Sequence, residues 1–228
     1  VWLQAYQQRP PRVAPATSTI IPSFGETPIS AKTPLPPLLP SPPAPEPSTT
    51  PTTAPAAAST GAYGYACRRV SGARVDLACV IGRSVDGRAL VAERQGSAAS
   101  RRVLVVLGQM HGEEWPGPQS VDVLRTLPVP GDAVIWSVRS MNPDGGAIGR
   151  RWNSHGVNLN SNFPDKFLRD SRSGPRALSE PESQAVARFL TIVQPDLVIS
   201  LHGFSEAVDT TGGGRRAAYA RTYSALSG

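Results

Sequence analysis

Long hydrophobic runs, dense basic clusters, lysine, histidine and cysteine are all scarce in this 228-residue chain, and each scarcity narrows what it does. The longest apolar runs are strand-sized, so no transmembrane span is expected. The formal charge is +6, yet arginine is scattered and outnumbers lysine about ten to one. Nucleic-acid binding calls for clustered charge with interleaved aromatics, so no nucleic-acid partner is expected. An acidic polymer such as cell wall would still be drawn to such a surface without a dedicated site. Cys67 and Cys79 are the only cysteines. They either pair, pinning the N-terminal edge of a secreted domain, or stand as two buried free thiols. The first residue is Val rather than Met, which leaves room for a signal peptide or anchor ahead of it. An extracytoplasmic, secreted or wall-associated protein is the expectation.

Apolar side chains are also short at the N-terminus. Fifteen of the 24 prolines fall in residues 1–60, mixed with Ala, Ser and Thr. Too little there can be buried to form a core, so residues 1–62 read as a disordered, extended spacer. The remainder, 63–228, carries 20 basic and 15 acidic residues and is long enough for one core.

Within that remainder, Val103–Leu107 is a charge-free branched run that reads as a buried strand, emptying into a turn that carries His111 and Glu114. An imidazole and a carboxylate three residues apart reach one divalent ion from a single turn, as catalytic zinc requires. Asp196–Leu201 is a second such strand, with His202 in the matching place. Of only three histidines, two sit at strand exits; His155 reads as a plain loop residue and Glu113 as a solvated carboxylate.

In chain order, Val75–Ile81 and Ala89–Glu93 predict a hairpin around Gly82–Arg88, and Pro116–Leu127 a helix closed by Pro128. Ala133–Val138 predicts a strand ending in an Asn142-Pro-Asp-Gly145 turn, and 146–176 a long functional loop. Ser179-Glu-Pro-Glu182 reads as a capping box for a helix that buries Ala185, Val186, Phe189, Leu190 and Val193. Gln194-Pro195 stops it, a strand follows at 197–201, and Arg215–Leu226 starts one more helix. Alternating strands and helices argue an α/β sheet covered on its faces, with ligands outside the strand carboxyl ends.

Seven segments now form a pattern: Gly82–Arg88, His111-Gly-Glu-Glu114, Asn142–Gly145, Arg151-Trp-Asn153, Gly156–Pro164, Ser179–Glu182 and Ser200-Leu-His202. Together they resemble the carboxypeptidase A-like zinc carboxypeptidase family. The resemblance implies a three-layer α/β/α sandwich around a mixed, mostly parallel sheet, whose C-terminal part is missing here. It implies one Zn2+ per chain on His111, Glu114 and His202, with a water in the open position. Arg151 matches the arginine that polarises the scissile carbonyl, and Asn160 the asparagine that helps hold a substrate carboxylate. Ser161 stands where the family has an arginine, so bidentate pairing to that carboxylate is lost. The family's general-base glutamate has no match in residues 1–228, and neither Glu113 nor Glu206 occupies a family catalytic position.

Arg151–Asn160 and Val208-Asp209 resemble murein peptide amidase A-like members, which implies peptide amide bonds of peptidoglycan stem peptides (γ-D-glutamyl-diaminopimelate) as substrate. A monomeric zinc-dependent metallocarboxypeptidase is the leading expectation. A deacylase resembling the succinylglutamate desuccinylase and aspartoacylase branch is a second, disfavoured by Asn142–Gly145 and the Arg151-Trp-Asn context. A zinc-binding pseudoenzyme or wall-binding fragment is the third.

Overall fold

The strand Arg102–Leu107 is the axis of the sheet, because it alone has parallel partners on both sides among the described residues. The computed structural model describes residues 2–4, 59–60, 63–70, 74–167, 169–203, 209–210 and 221–222. All belong to one unit made of Val1–Arg9 with Ala57–Gly228. Of the expected spacer, 1–62, only Trp2–Gln4 and Ser59–Thr60 are described, both as short strands. The expected helix at 215–226 lies outside the described residues except for 221–222.

In chain order the strands are β1 (Trp2–Gln4), β2 (Ser59–Thr60), β3 (Ala66–Arg69), β4 (Val75–Arg83), β5 (Ala89–Gly96), β6 (Arg102–Leu107), β7 (Ala133–Val138), β8 (Leu197–Ser200) and β9 (Asp209–Thr210). The helices are α1 (Pro116–Leu124), α2 (Pro143–Ala147) and α3 (Pro181–Val193). The sheet order is β2-β3-β4-β5-β7-β6-β8-β1-β9. The sheet is mixed, as expected, but not mostly parallel. Parallel pairing is confined to β6–β7, β6–β8 and β1–β9. The pairs from β2 to β5, β5–β7 and β1–β8 are antiparallel. From β2 to β5 short connections permit only antiparallel neighbours, whereas β6, β7 and β8 are joined through helices.

Alternation along β6 divides the core between the sheet's two faces. Val105 and Leu107 pack with Trp136, Val138, Val186, Phe189 and Leu190 under α3. Val106 joins Val121 and Ile135 under α1, with Leu104, Leu124 and Ile199 beside them. Helices on both faces make the expected three-layer sandwich. Gly82 of β4 lies directly against Ala185 of α3, where a side chain would collide. Cys67 and Cys79 face each other on β3 and β4 and form a disulfide. Among the described residues no helix is long and apolar enough to cross a membrane.

Three helix boundaries differ from expectation. The segment Asn142–Gly145 is not merely a turn: Pro143 takes the first helical position and Asn142 Oδ1 accepts from Gly145 N–H at 2.9 Å, capping α2. Helix α1 stops at Leu124, not Leu127, because the buried Gln95 amide donates to the carbonyls of Leu124, Arg125 and Leu127. Ser179 does not cap α3 and Glu182 does not complete a capping box. Pro181 at the first helical position puts the N-cap at Glu180, and Glu182 turns inward to accept from Val85 N–H (3.1 Å) and Asn153 Nδ2 (3.2 Å). The apolar face of α3 is buried as expected.

Candidate metal centre

Strand β6 sets the first half of the site. Past Leu107, Gly108 N–H donates to Val138 O at 2.8 Å, and the chain leaves the sheet through Gln109–Trp115 into α1. That turn is held from both sides. Gln109 Nε2 donates to Gly112 O at 2.9 Å, and Gly112 N–H to Arg151 O at 3.3 Å. A methyl on Gly112 would overlap the backbone of Gly145 and Arg150, so three chain segments meet only because no side chain is there. Strand β8 supplies the second half. Ser200 pairs with Leu107 and Leu201 N–H donates to Leu107 O at 2.8 Å, which delivers His202 beside the β6 exit.

His111, Glu114 and His202 converge, each offering a ligand atom within 4.8 Å of the others. His111 and Glu114 are buried, and His202 is 14% exposed at its side chain. His111 Nδ1 lies 2.8 Å from Glu114 Oε1, and His202 Nδ1 lies 3.0 Å from Glu114 Oε2. On the far side of the first ring, His111 Nε2 meets Asn158 Oδ1 at 3.0 Å. An amide oxygen only accepts, so Nε2 carries a proton and Nδ1 is the nitrogen that faces Glu114. That nitrogen can face a carboxylate oxygen either through a proton of its own or through a cation in the proton's place. The donor set of two imidazoles and one carboxylate fits zinc, and Asn158 is the outer partner that orients such a ligand.

Electrostatics agree with that reading. Burial pushes the Glu114 carboxyl up, but hydrogen bonds from His111 and His202, the His111 charge and the Gly203 N–H outweigh it. Together they hold Glu114 well below the usual carboxylate range, ready to ligate. Arg151 adds the cation. Its Nη1 lies 3.0 Å from Glu113 Oε1 and 3.4 Å from Glu114 Oε1. Glu113 is thus not simply solvated: it is ion-paired, and its Oε2 is buried without a partner among the described residues. Asn160 and Ser161 lie on the 3-10 turn Leu159–Ser161, capped by Asn158, and neither side chain has a hydrogen bond among the described residues. Glu206 lies outside the described residues.

The surrounding motifs brace one another. Asp144 of α2 is buried and accepts from Ser84 Oγ at 2.7 Å, Asp86 N–H at 3.0 Å and Arg88 Nη1 at 2.7 Å, tying the β4–β5 turn to the segment after β7. Asn153 donates to Glu180 (2.8 Å) and Glu182 (3.2 Å), fixing the long loop to the start of α3. His155, expected to be a plain loop residue, binds Glu180 at 2.7 Å in the same brace. Sequence reasoning missed Asn158 and the Glu113–Arg151 pair. Asn158 stands two residues before Asn160 in the same segment, and Glu113 abuts a ligand, but neither place reveals its partner.

Comparison with known proteins bears on the same residues. Residues 131–226 match the zinc carboxypeptidase family (peptidase M14), a span that contains Arg151, Asn158, Asn160 and His202 and begins after His111 and Glu114. Over 139 residues the chain is 32% identical to murein peptide amidase A of Escherichia coli K12, covering 53% of this chain and 57% of that protein. The crystal structure of murein-tripeptide amidase from Escherichia coli O157 is 29% identical with a TM-score of 0.48, covering 59% of this chain and 62% of that one. Carboxypeptidase A of Helicoverpa armigera has the same fold at a TM-score of 0.50 and 21% identity, covering 58% of this chain and 42% of that one. The chain therefore spans little more than half the length of the murein amidase it matches.

Proposed function

We propose, for a chain related to the zinc carboxypeptidase family, that it forms the metal-holding part of a zinc-dependent peptidase acting on peptide amide bonds, with wall stem peptides as its substrate class. The observation that carries this is the convergence of both imidazole Nδ1 atoms on one carboxylate, with Asn158 fixing the tautomer of His111. His111, Glu114 and His202 would hold a zinc ion, which would supply Lewis acidity for a peptide carbonyl and for water. The chain's own groups supply charge and substrate contacts. Arg151 is 43% exposed and offers the remaining guanidinium N–H groups to developing negative charge on the carbonyl oxygen. Asn160, on the adjoining turn, is the candidate contact for a substrate carboxylate. The proton acceptor is not assigned to a residue of this chain.

Two features support the finer points. The likeness to murein peptide amidase A supports the stem-peptide class, and the Cys67–Cys79 disulfide supports an extracytoplasmic setting. Ser161, where the resemblance implies an arginine, favours a second reading in which the chain binds wall peptides with zinc and does not turn them over. Metal analysis after dialysis against zinc tests the core of the proposal: one zinc per chain is expected, and none after His111→Ala or His202→Ala. A panel of stem peptides, ordinary C-terminal peptides and N-acyl amino acids, with and without chelator, then separates peptidase, deacylase and non-catalytic binder.

A further inference from the structure

Arg151 stands between two neighbouring carboxylates, and its position matters to the metal ligands. Its backbone is fixed: Arg151 O accepts from Gly112 N–H at 3.3 Å and from Asn142 Nδ2 at 3.2 Å. Only the side chain has a choice of partner. Nη1 lies nearer Glu113 Oε1, at 3.0 Å, than Glu114 Oε1, at 3.4 Å. Glu113 in turn depends on it, since Oε2 is buried without a partner and Arg151 is the cation recorded for Glu113 among the described residues. Glu114 is the more enclosed of the two, 4% exposed at its side chain against 27%. An arginine released beside it would find a carboxylate in a poorly screened environment, where ion pairing is strongest.

We propose that Glu113 is a positioning residue for the metal centre: by holding the Arg151 guanidinium, it keeps that cation from neutralising the ligand Glu114. The inference rests on the metal reading above and concerns a residue that reading does not use. With the Glu113 carboxylate replaced by an amide, Arg151 shifts by a few tenths of an ångström onto Glu114 Oε1 and competes with the ion for the oxygen that faces His111 Nδ1. Glu113 then governs zinc affinity through Arg151, not by its own charge. These two routes differ in one respect: the first vanishes when Arg151 is absent, and the second does not.

A double-mutant cycle read by zinc affinity distinguishes them. Zinc is titrated against a competing fluorescent chelator at low salt for the full chain, for Glu113→Gln, for Arg151→Met and for the two combined. Glu113→Gln is expected to weaken zinc about tenfold, and to change it less than twofold in the Arg151→Met background. Glu113→Asp, which keeps the charge on a shorter stem, is expected to recover part of the loss. Equal weakening by Glu113→Gln in both backgrounds would overturn the inference in favour of direct electrostatics, and no weakening in either would overturn it outright. Thermal melting of the zinc-free proteins shows that the variants are folded. Should the unaltered chain bind no zinc, the metal reading itself falls, and the inference with it.

Discussion

Asn158 occupies one nitrogen of His111 so that the other is free for a ligand, and this couples it to the triad without its belonging to it. Removing such an outer partner commonly lowers metal affinity about 10- to 100-fold. Asn158→Ala is therefore expected to weaken zinc by at least about tenfold while leaving one site per chain, as read by chelator competition. At Arg151, loss of a donor aimed at an oxyanion lowers turnover by about 10²- to 10³-fold. Arg151→Met should show that loss in kcat on any stem peptide the protein hydrolyses, with zinc still bound.

Asp144 gives the residue-scale expectation for pH. Burial pushes its carboxyl up, but the Ser84 hydroxyl, the Asp86 N–H and the Arg88 guanidinium outweigh this and hold it below its ordinary value. A carboxyl depressed in the folded state contributes stability above its unfolded pKa, near 4, that is lost as pH falls through the folded value. The urea midpoint should accordingly drop as pH goes from about 4 downward. Asp144→Asn should lower stability by about 2 kcal/mol at neutral pH, where Arg88 loses its charge partner and an amide with one oxygen cannot serve Ser84 and Arg88 on one side and the Asp86 N–H on the other, and flatten part of the acid limb.

The cluster of His111, Glu114 and His202 was legible in the sequence because histidine is rare here and two of three follow buried strands. Their partners were not. Which polar group stands behind an imidazole, or which of Glu113 and Glu114 receives an arginine 38 or 37 residues away, is decided by how the long loop folds back, and no local pattern encodes that.

Among the elements, those whose apolar spacing is unambiguous were read closely from sequence: β4, β6, β7 and the buried face of α3. Their ends were harder to read, because tertiary partners decide them. Gln95 reaches from β5 to finish α1, and Val85 and Asn153 draw Glu182 away from the helix terminus it would otherwise cap. Phe189 shows what the α3 face contributes, buried between Tyr65 and Trp136 with ring centroids 6.3 and 5.4 Å away. Phe189→Ala should cost about 3–5 kcal/mol in equilibrium unfolding, since the rings around it cannot close the space. The turn after β6 is constrained differently. Gly112→Ala forces apart the segments that carry His111, Gly145 and Arg151, and should abolish zinc binding even where circular dichroism shows the sheet retained.

At the scale of the whole molecule, the antiparallel strands β2–β5 form one side of the sheet, and the Cys67–Cys79 bridge closes a short loop between two of them. A loop of that size contributes about 2–3 kcal/mol by restricting the unfolded chain. Reduction should lower the melting temperature and leave the zinc stoichiometry unchanged, because no residue of β3 or β4 ligates. The predominance of antiparallel pairs escaped the sequence. Strand runs reveal themselves by composition, whereas their direction depends on whether a helix or a short turn joins them.

The side-by-side placement of β6 and β8 also has a kinetic meaning. His202 meets Glu114 across 88 residues of chain, so the two halves of the site cannot coexist until a parallel pairing with a large loop-closure entropy has formed. The first turn offers His111 and Glu114 early; the second imidazole arrives late. Zinc mixed with the chain at the start of refolding should therefore be taken up tightly only in the slowest phase. The lag between burial of Trp136 and that uptake would time the closing of β8 onto β6.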